Sequence, residues 1–394
     1  MKKTTYLLCL SLLMLGGSSC QKEKTEELDN SREPLVFSAS TPRTKGQREL
    51  DHLDELANQD FSVSAWYTAE GEEFGNNSLH YLANHRFGTL DNQVTWQGIA
   101  RSDNNEASPD PVYYPLDGSL SFFCYAPYRN PEEFQDIIIN NTPPEGITNK
   151  ENYLPGSPVI QFTPESSAAR QIDFIAFDPV LDWKKGDGIV PLNFTKHLTT
   201  KIQFWCKYEG VINNEEKVLV DNIMIHNVIG SEYLYFTQQG GKLGYAWCSD
   251  VSPDGGETMP RNSYSLSIEN KELINDANAY LDTEEFKFVN AEVTGKIYLL
   301  PQVIPPMPEE GAYEEEDFPY LQISYQILNK DNQTVEKNTL KYDLRGSEDW
   351  PIGKTVVYTI TIKVAQRKEL VVNSVVINDW EDAGNTHNPE ELLY

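Results

Sequence analysis

The sequence predicts an all-β protein built as two tandem β-sandwich domains, residues 34–187 and 188–394, and three observations carry that prediction. Apolar residues alternate with small polar ones in short runs such as Phe61-Ser-Val-Ser-Ala-Trp-Tyr67, which puts one face of an extended chain in a core. Such runs recur roughly every ten residues and are split by Pro, Gly and Asn, the rhythm of strands in a sandwich. At 394 residues the chain exceeds one ordinary domain, and no helix-period stretch of ordinary length competes with the strands.

The chain opens on a different kind of segment. Lys2 and Lys3 precede an apolar run, Tyr6–Leu15, followed by Gly16-Gly17-Ser18-Ser19 and then Cys20. A basic head, a short apolar core and small residues describe a secretory signal over residues 1–19, too short to span a bilayer. A cysteine directly after the small residues resembles a bacterial lipoprotein signal, in which the Cys20 thiol receives lipid and becomes the mature N-terminus. Gly17 stands where leucine is usual in such signals, and an ordinary secretory signal with an incidental cysteine is the alternative. Residues 20–33 are charged, lack aromatics and have no periodicity, so they read as a flexible tether. Their acidic run also resembles the surface-export signal of Bacteroides-like lipoproteins, a plain hydrophilic linker being the other reading.

In the first half, Leu35–Ala39 is the first strand-like run, broken by Pro42-Arg43-Thr-Lys45-Gly46-Gln-Arg48, a basic island in an acidic chain. Leu53 and Leu56 have weakly helical spacing, and Gln93-Val-Thr-Trp-Gln97 alternates like a strand. Asp117-Gly118 supplies a turn because glycine reaches positive φ without a Cβ clash. Leu120–Tyr125 is dense in β-favouring residues, and Pro127 ends it by removing a ladder donor. Ile137–Ile139, Pro158–Phe162 and Asp173–Phe177 continue the series.

The second half is read from Ile189–His197 and Lys201–Tyr208 onward, through Val218–Val220, Asn222–His226, Tyr233–Phe236, Lys296–Gln302, Tyr320–Tyr325, Thr339–Tyr342, Val356–Val364 and Val371–Trp380. Pro305–Pro319, holding Glu314–Asp317, reads as an acidic loop. Gln239-Gly-Gly-Lys-Leu-Gly244 looks like a phosphate-binding glycine loop, but no helix follows it, and a hairpin connection fits better.

Composition narrows the function. Net charge is −28, and −30 once Lys2 and Lys3 leave with the signal, so phosphate backbones and anionic lipid surfaces repel the chain and nucleic-acid binding is not expected. No later stretch of about 18 residues is apolar and uncharged, so no second membrane span is expected. Cys124, Cys206 and Cys248 remain after Cys9 and Cys20 are set aside, and all lie in apolar or aromatic surroundings. Three packed thiols are expected, with one bridge and one thiol as the alternative.

No constellation for catalysis, metal or cofactor emerges, and an enzyme is not expected. The nucleophile elbow, the zinc-protease motif and the phosphate loop are missing from the sequence. His197 and His226 sit in strand-like runs as core or edge residues. Paired acids at Glu284-Glu285 and Glu314–Asp317 say little in so acidic a chain. Asp103–Glu106 and Glu314–Asp317 lack EF-hand spacing for calcium.

Taken in order, several pieces resemble the fimbrillin family of Bacteroidales. They are the signal at Cys20, Tyr114-Pro115 with Leu120–Pro127, Val190–Ile202, Leu299-Leu-Pro-Gln302, Trp350-Pro-Ile-Gly353 before Tyr358–Ile362, and the closing Asn378-Asp-Trp380. The resemblance implies Greek-key, transthyretin-like sandwiches and a lipoprotein of the outer membrane and cell surface that joins fimbrial neighbours by β-strand donation, with a role in adhesion. It further implies cutting after an arginine by a trypsin-like surface protease. In this sequence Arg43 or Arg48 is the candidate cleavage point and Leu35–Ala39 the strand removed, unless both arginines are ordinary loop residues. Anchor and accessory members of the family stay uncut and lipidated. The stretch after Trp380 is poor in β-formers, so Val371–Ile377 is the better donor segment, and accessory, tip and anchor roles stay open. The alternative from another class is a surface glycan-binding lipoprotein using exposed Trp66, Trp96, Trp183, Trp247 or Trp350.

Overall fold

A computed structural model describes residues 33–40, 60–89, 97–100, 111–210, 216–256, 258–272, 281–282, 296–307, 318–364 and 368–380. Its regular secondary structure is nearly all strand. The first ten are β1 (Phe37–Ser40), β2 (Phe61–Thr68), β3 (Leu79–Thr89), β4 (Gln97–Ala100), β5 (Ser119–Ala126), β6 (Ile137–Asn140), β7 (Val159–Phe162), β8 (Ile175–Phe177), β9 (Val180–Trp183) and β10 (Val190–His197). Then come β11 (Thr200–Glu209), β12 (Lys217–Ile229), β13 (Glu232–Gln239), β14 (Lys242–Cys248), β15 (Arg261–Glu272) and β16 (Leu281–Asp282). The last are β17 (Ile297–Leu299), β18 (Tyr320–Leu328), β19 (Thr334–Asp343), β20 (Lys354–Lys363) and β21 (Glu369–Asp379).

The strands form four sheets. The largest runs β2-β3-β4-β1-β10-β8-β5-β9, and a further pairing joins β2 at one end to β5, the strand next to the other end. Inside it lie Phe37, Phe61, Val63, Phe87, Leu120, Phe122, Cys124, Phe177 and Leu192. A second sheet, β14-β13-β7-β6, covers the outer face of β2, β5 and β8, with Trp66, Phe123, Tyr125 and Phe174 meeting Phe162, Leu234 and Phe236. Strand β5 is thus buried on both faces along its whole length, which is why its sequence is a dense apolar run and not an alternation.

The remaining two sheets, β15-β12-β18-β19 and β16-β11-β20-β21 with β17 beside β11, face each other as a sandwich. Its core joins Ile202, Phe204, Val356, Tyr358 and Ile360 to Ile223, Ile225, Tyr264, Ile323 and Tyr325. Here the alternation is clean: Leu321, Ile323, Tyr325 and Ile327 of β18 are buried and their neighbours half-buried. Glycines Gly240 and Gly241 close the β13–β14 hairpin at φ +56° and +79°, so the glycine loop is a two-residue turn.

The domain boundary drawn after residue 187 does not match the sheets. Strand β10 pairs with β1 and β8 in the largest sheet, and β13 pairs with β7 in the second. The short loop before Val190 joins β9 to β10, two strands of the same sheet, so hydrogen bonding crosses the expected divide in both sheets. Strand β3 is also unmarked in the sequence, because register shifts and a positive φ at Asn84 (43°) break its alternation.

Candidate functional site

The candidate site is the seam that β1 fills. The strand lies parallel to β10, pairing Phe37 with Val190 and Ser38 with Pro191, and antiparallel to β4, pairing Phe37 with Gly98. The segment before it is held as well. Leu35 N–H donates to Val112 O at 2.7 Å, Tyr114 N–H to Glu33 O at 2.9 Å, and Val190 N–H to Val36 O at 2.9 Å. Strand β1 is the only link between β4 and β10 in the sheet order of the described residues.

Alternation sends Leu35 and Phe37 inward, at 2% and 0% exposure. Phe37 is ringed by other phenylalanines, all nearly perpendicular to it. Its centroid is 4.9 Å from Phe87, 5.2 Å from Phe122 and 5.7 Å from Phe61, at interplanar angles of 78°, 86° and 81°. These edge-to-face contacts add to the burial of a large apolar side chain. Pro191, opposite Ser38, brings no N–H to the ladder, and a proline at such a position is characteristic of edge strands.

Several expected site residues fall elsewhere. Cys20, Arg43, Arg48, Trp96, Asp103–Glu106, Glu284-Glu285, Glu314–Asp317 and the stretch after Trp380 lie outside the described residues. Residues 41–59, which carry Arg43 and Arg48, join β1 to β2 in the chain. Cys124, Cys206 and Cys248 are buried and none is in a disulfide, as expected for packed thiols. Burial pushes the thiol of Cys124 far up, which makes it a poor nucleophile.

The histidines and tryptophans have structural partners. His197 Nδ1 lies 2.6 Å from Asp173 Oδ2, and its ring stacks on Trp380 at 4.0 Å. His226 Nδ1 lies 2.9 Å from Ser263 Oγ, and its ring stacks on Tyr320 at 4.4 Å. Trp66 and Trp350 are buried, the latter donating to Tyr358 Oη at 2.8 Å. Trp183 and Trp247 are half-buried and donate to Gly188 O and Leu198 O. None of these four indoles is an exposed sugar platform.

One buried acid escaped the sequence reading. Glu232, at the start of β13, is 1% exposed, and its Oε2 has no hydrogen-bond partner among the described residues. Burial raises its carboxyl to about 8, so it is mostly protonated at neutral pH. Nothing local marks it, because an acid before Tyr233-Leu-Tyr-Phe236 reads as a strand flank.

A family model described as fimbrillin-like matches residues 56–380. The chain belongs to the fimbrillin-like family. A fimbrial, adhesion-related role at the cell surface goes with that membership. Among solved structures, this fimbrillin-like chain is similar to a fimbrial protein from Bacteroides vulgatus ATCC 8482, with 16% identity, 89% of this chain and 99% of the other covered, and a TM-score of 0.49. It is also similar to the tip fimbrial protein Mfa3 from Porphyromonas gingivalis with C-terminal truncation, at 11% identity, 89% and 100% coverage and a TM-score of 0.29. No curated protein sequence matches it. Strand β1, Arg43 and Arg48 all lie N-terminal to the residues that the family model matches.

Proposed function

We propose that this protein is a non-enzymatic fimbrial subunit, exported as a lipoprotein through Cys20 and assembled by strand complementation at the β1 seam. The single observation supporting this reading is the position of β1, which among the described residues is the one strand joining β4 to β10 and is followed in the chain by 41–59 with its two arginines. Cutting after Arg43 or Arg48 severs β1 from β2. Loss of the strand then leaves two unpaired strand edges over an aromatic floor of Phe61, Phe87 and Phe122. An extended segment of a neighbouring subunit regains the backbone hydrogen bonds, and its alternate side chains fill the vacated positions.

Cross-linking with mass spectrometry on intact cells tests the proposal. A fimbrial neighbour joined to a photoreactive residue placed at Gln97 in β4 supports it. Cross-links at that position only to residues 33–40 of the same chain, in the surface-exposed protein, contradict it.

A further inference from the structure

From the ring of phenylalanines we infer that the seam selects its occupant by chemistry as well as shape. It takes an extended segment with a large aliphatic residue two positions before a phenylalanine, and it discriminates against tyrosine at the second position. The inference rests on strand complementation at this seam and specifies the partner that the seam admits.

The argument begins with the strand now in place. Leu35 and Phe37 are two residues apart, and both are almost fully buried, whereas Val36 and Ser38 between and after them are only half-buried. Among the β1 residues whose side chains are described, the demand is therefore concentrated at two subsites of one face. The Leu35 subsite belongs to the same core as Tyr114, and the N–H of Leu35 is fixed on Val112 O, which sets the register.

Among the described residues, the three rings within 6 Å of Phe37 belong to phenylalanine, and a phenylalanine edge offers no hydrogen-bond acceptor of ordinary strength. A tyrosine seated there carries its hydroxyl away from water among phenylalanine rings, none of which replaces the hydrogen bond lost to solvent. Leucine avoids that penalty but gives up the three edge-to-face contacts, and alanine leaves a cavity as well. The order expected is phenylalanine, then leucine, then tyrosine and alanine. A merely greasy groove would accept tyrosine nearly as well as phenylalanine, because the two rings bury almost the same apolar area.

The test uses the full-length protein nicked within residues 41–59 by limited trypsin treatment. Fluorescent peptides with the sequence of residues 33–40 are added, carrying phenylalanine, leucine, tyrosine or alanine at the position of Phe37. Saturable uptake of the phenylalanine peptide, with the tyrosine peptide weaker by about tenfold or more, supports the inference. Tyrosine and phenylalanine peptides that bind within about twofold of each other overturn it, while strand exchange itself stands. If the phenylalanine peptide does not enter the nicked protein at all, strand complementation fails, and the selectivity falls with it. Full-length Phe37→Tyr supplies a readout that does not depend on exchange: its melting temperature falls below that of the parent, and an unchanged value also counts against the inference.

Discussion

Phe37 and Phe87 meet edge to face at 4.9 Å, although one lies in the first strand and the other in the third. Strand β1 contributes four residues to the sheet, yet it places one of the largest fully buried side chains of the molecule at the centre of the core. Phe37→Ala is expected to cost about 3–5 kcal/mol, the usual range for an aromatic truncated in a core. Chemical denaturation followed by tryptophan fluorescence checks this. A loss of less than about 1 kcal/mol shows that the strand is not a working part of the core.

Glu232 predicts an unusual pH dependence. Its folded carboxyl titrates near 8, against a reference value of 4.5. Below the reference value both folded and unfolded chains hold the proton, and the acid has no effect on stability. As pH rises from there, the unfolded chain releases the proton while the folded chain keeps it, so stability falls until the folded carboxyl also ionises near 8. Glu232→Gln removes the titration and is expected to raise the melting temperature most at pH 8 and above. Equal changes for parent and variant between pH 5 and 8 would contradict the assignment.

Gly118 predicts a steric limit at the turn before β5. Its φ is +70°, and an added Cβ would lie 2.2 Å from the carbonyl oxygen of Thr68. Gly118→Ala therefore combines left-handed strain with a backbone collision, for a loss of about 2 kcal/mol or more. Thermal unfolding reads this directly, with Gly71→Ala as the comparison: Gly71 is also left-handed at φ +87° but has open space around its Cβ position.

The seam between the largest sheet and the C-terminal sandwich is pinned by Trp380. His197 stacks on it, Tyr298 lies parallel at 5.7 Å, and Lys201 Nζ donates to its carbonyl oxygen at 3.0 Å. Trp380→Ala is expected to speed amide exchange in β21 while leaving β1 and β10 protected. Uniform acceleration through all the sheets would mean that the contact supports global stability and not this one strand.

Part of the local structure is legible in the sequence, although β14 and β15 are not among the expected strands, even with Tyr264, Leu266 and Ile268 alternating with serines in β15. Strands such as β2 and β5 announce themselves through alternation or apolar density, and the Asp117-Gly118 turn and the β13–β14 hairpin follow from glycine geometry. Sheet membership was not legible, because pairing β10 with β1 or β13 with β7 depends on contacts between residues far apart in sequence. The site was half legible. Leu35–Ala39 stood out as a strand beside two arginines, whereas Phe87, which completes the ring around Phe37, sits in β3, whose bulges erase its pattern. Glu232 was invisible for a related reason: its burial comes from the fold around it and not from its neighbours in the chain.

The central claim is that β1 is a removable strand, and N-terminal sequencing of the protein recovered from the cell surface tests it most directly. A mature start at Thr44 or Glu49, with β1 no longer covalently attached, is the result expected. A surface form that begins uniformly at a lipid-blocked Cys20 and keeps residues 33–40 in the chain would contradict it.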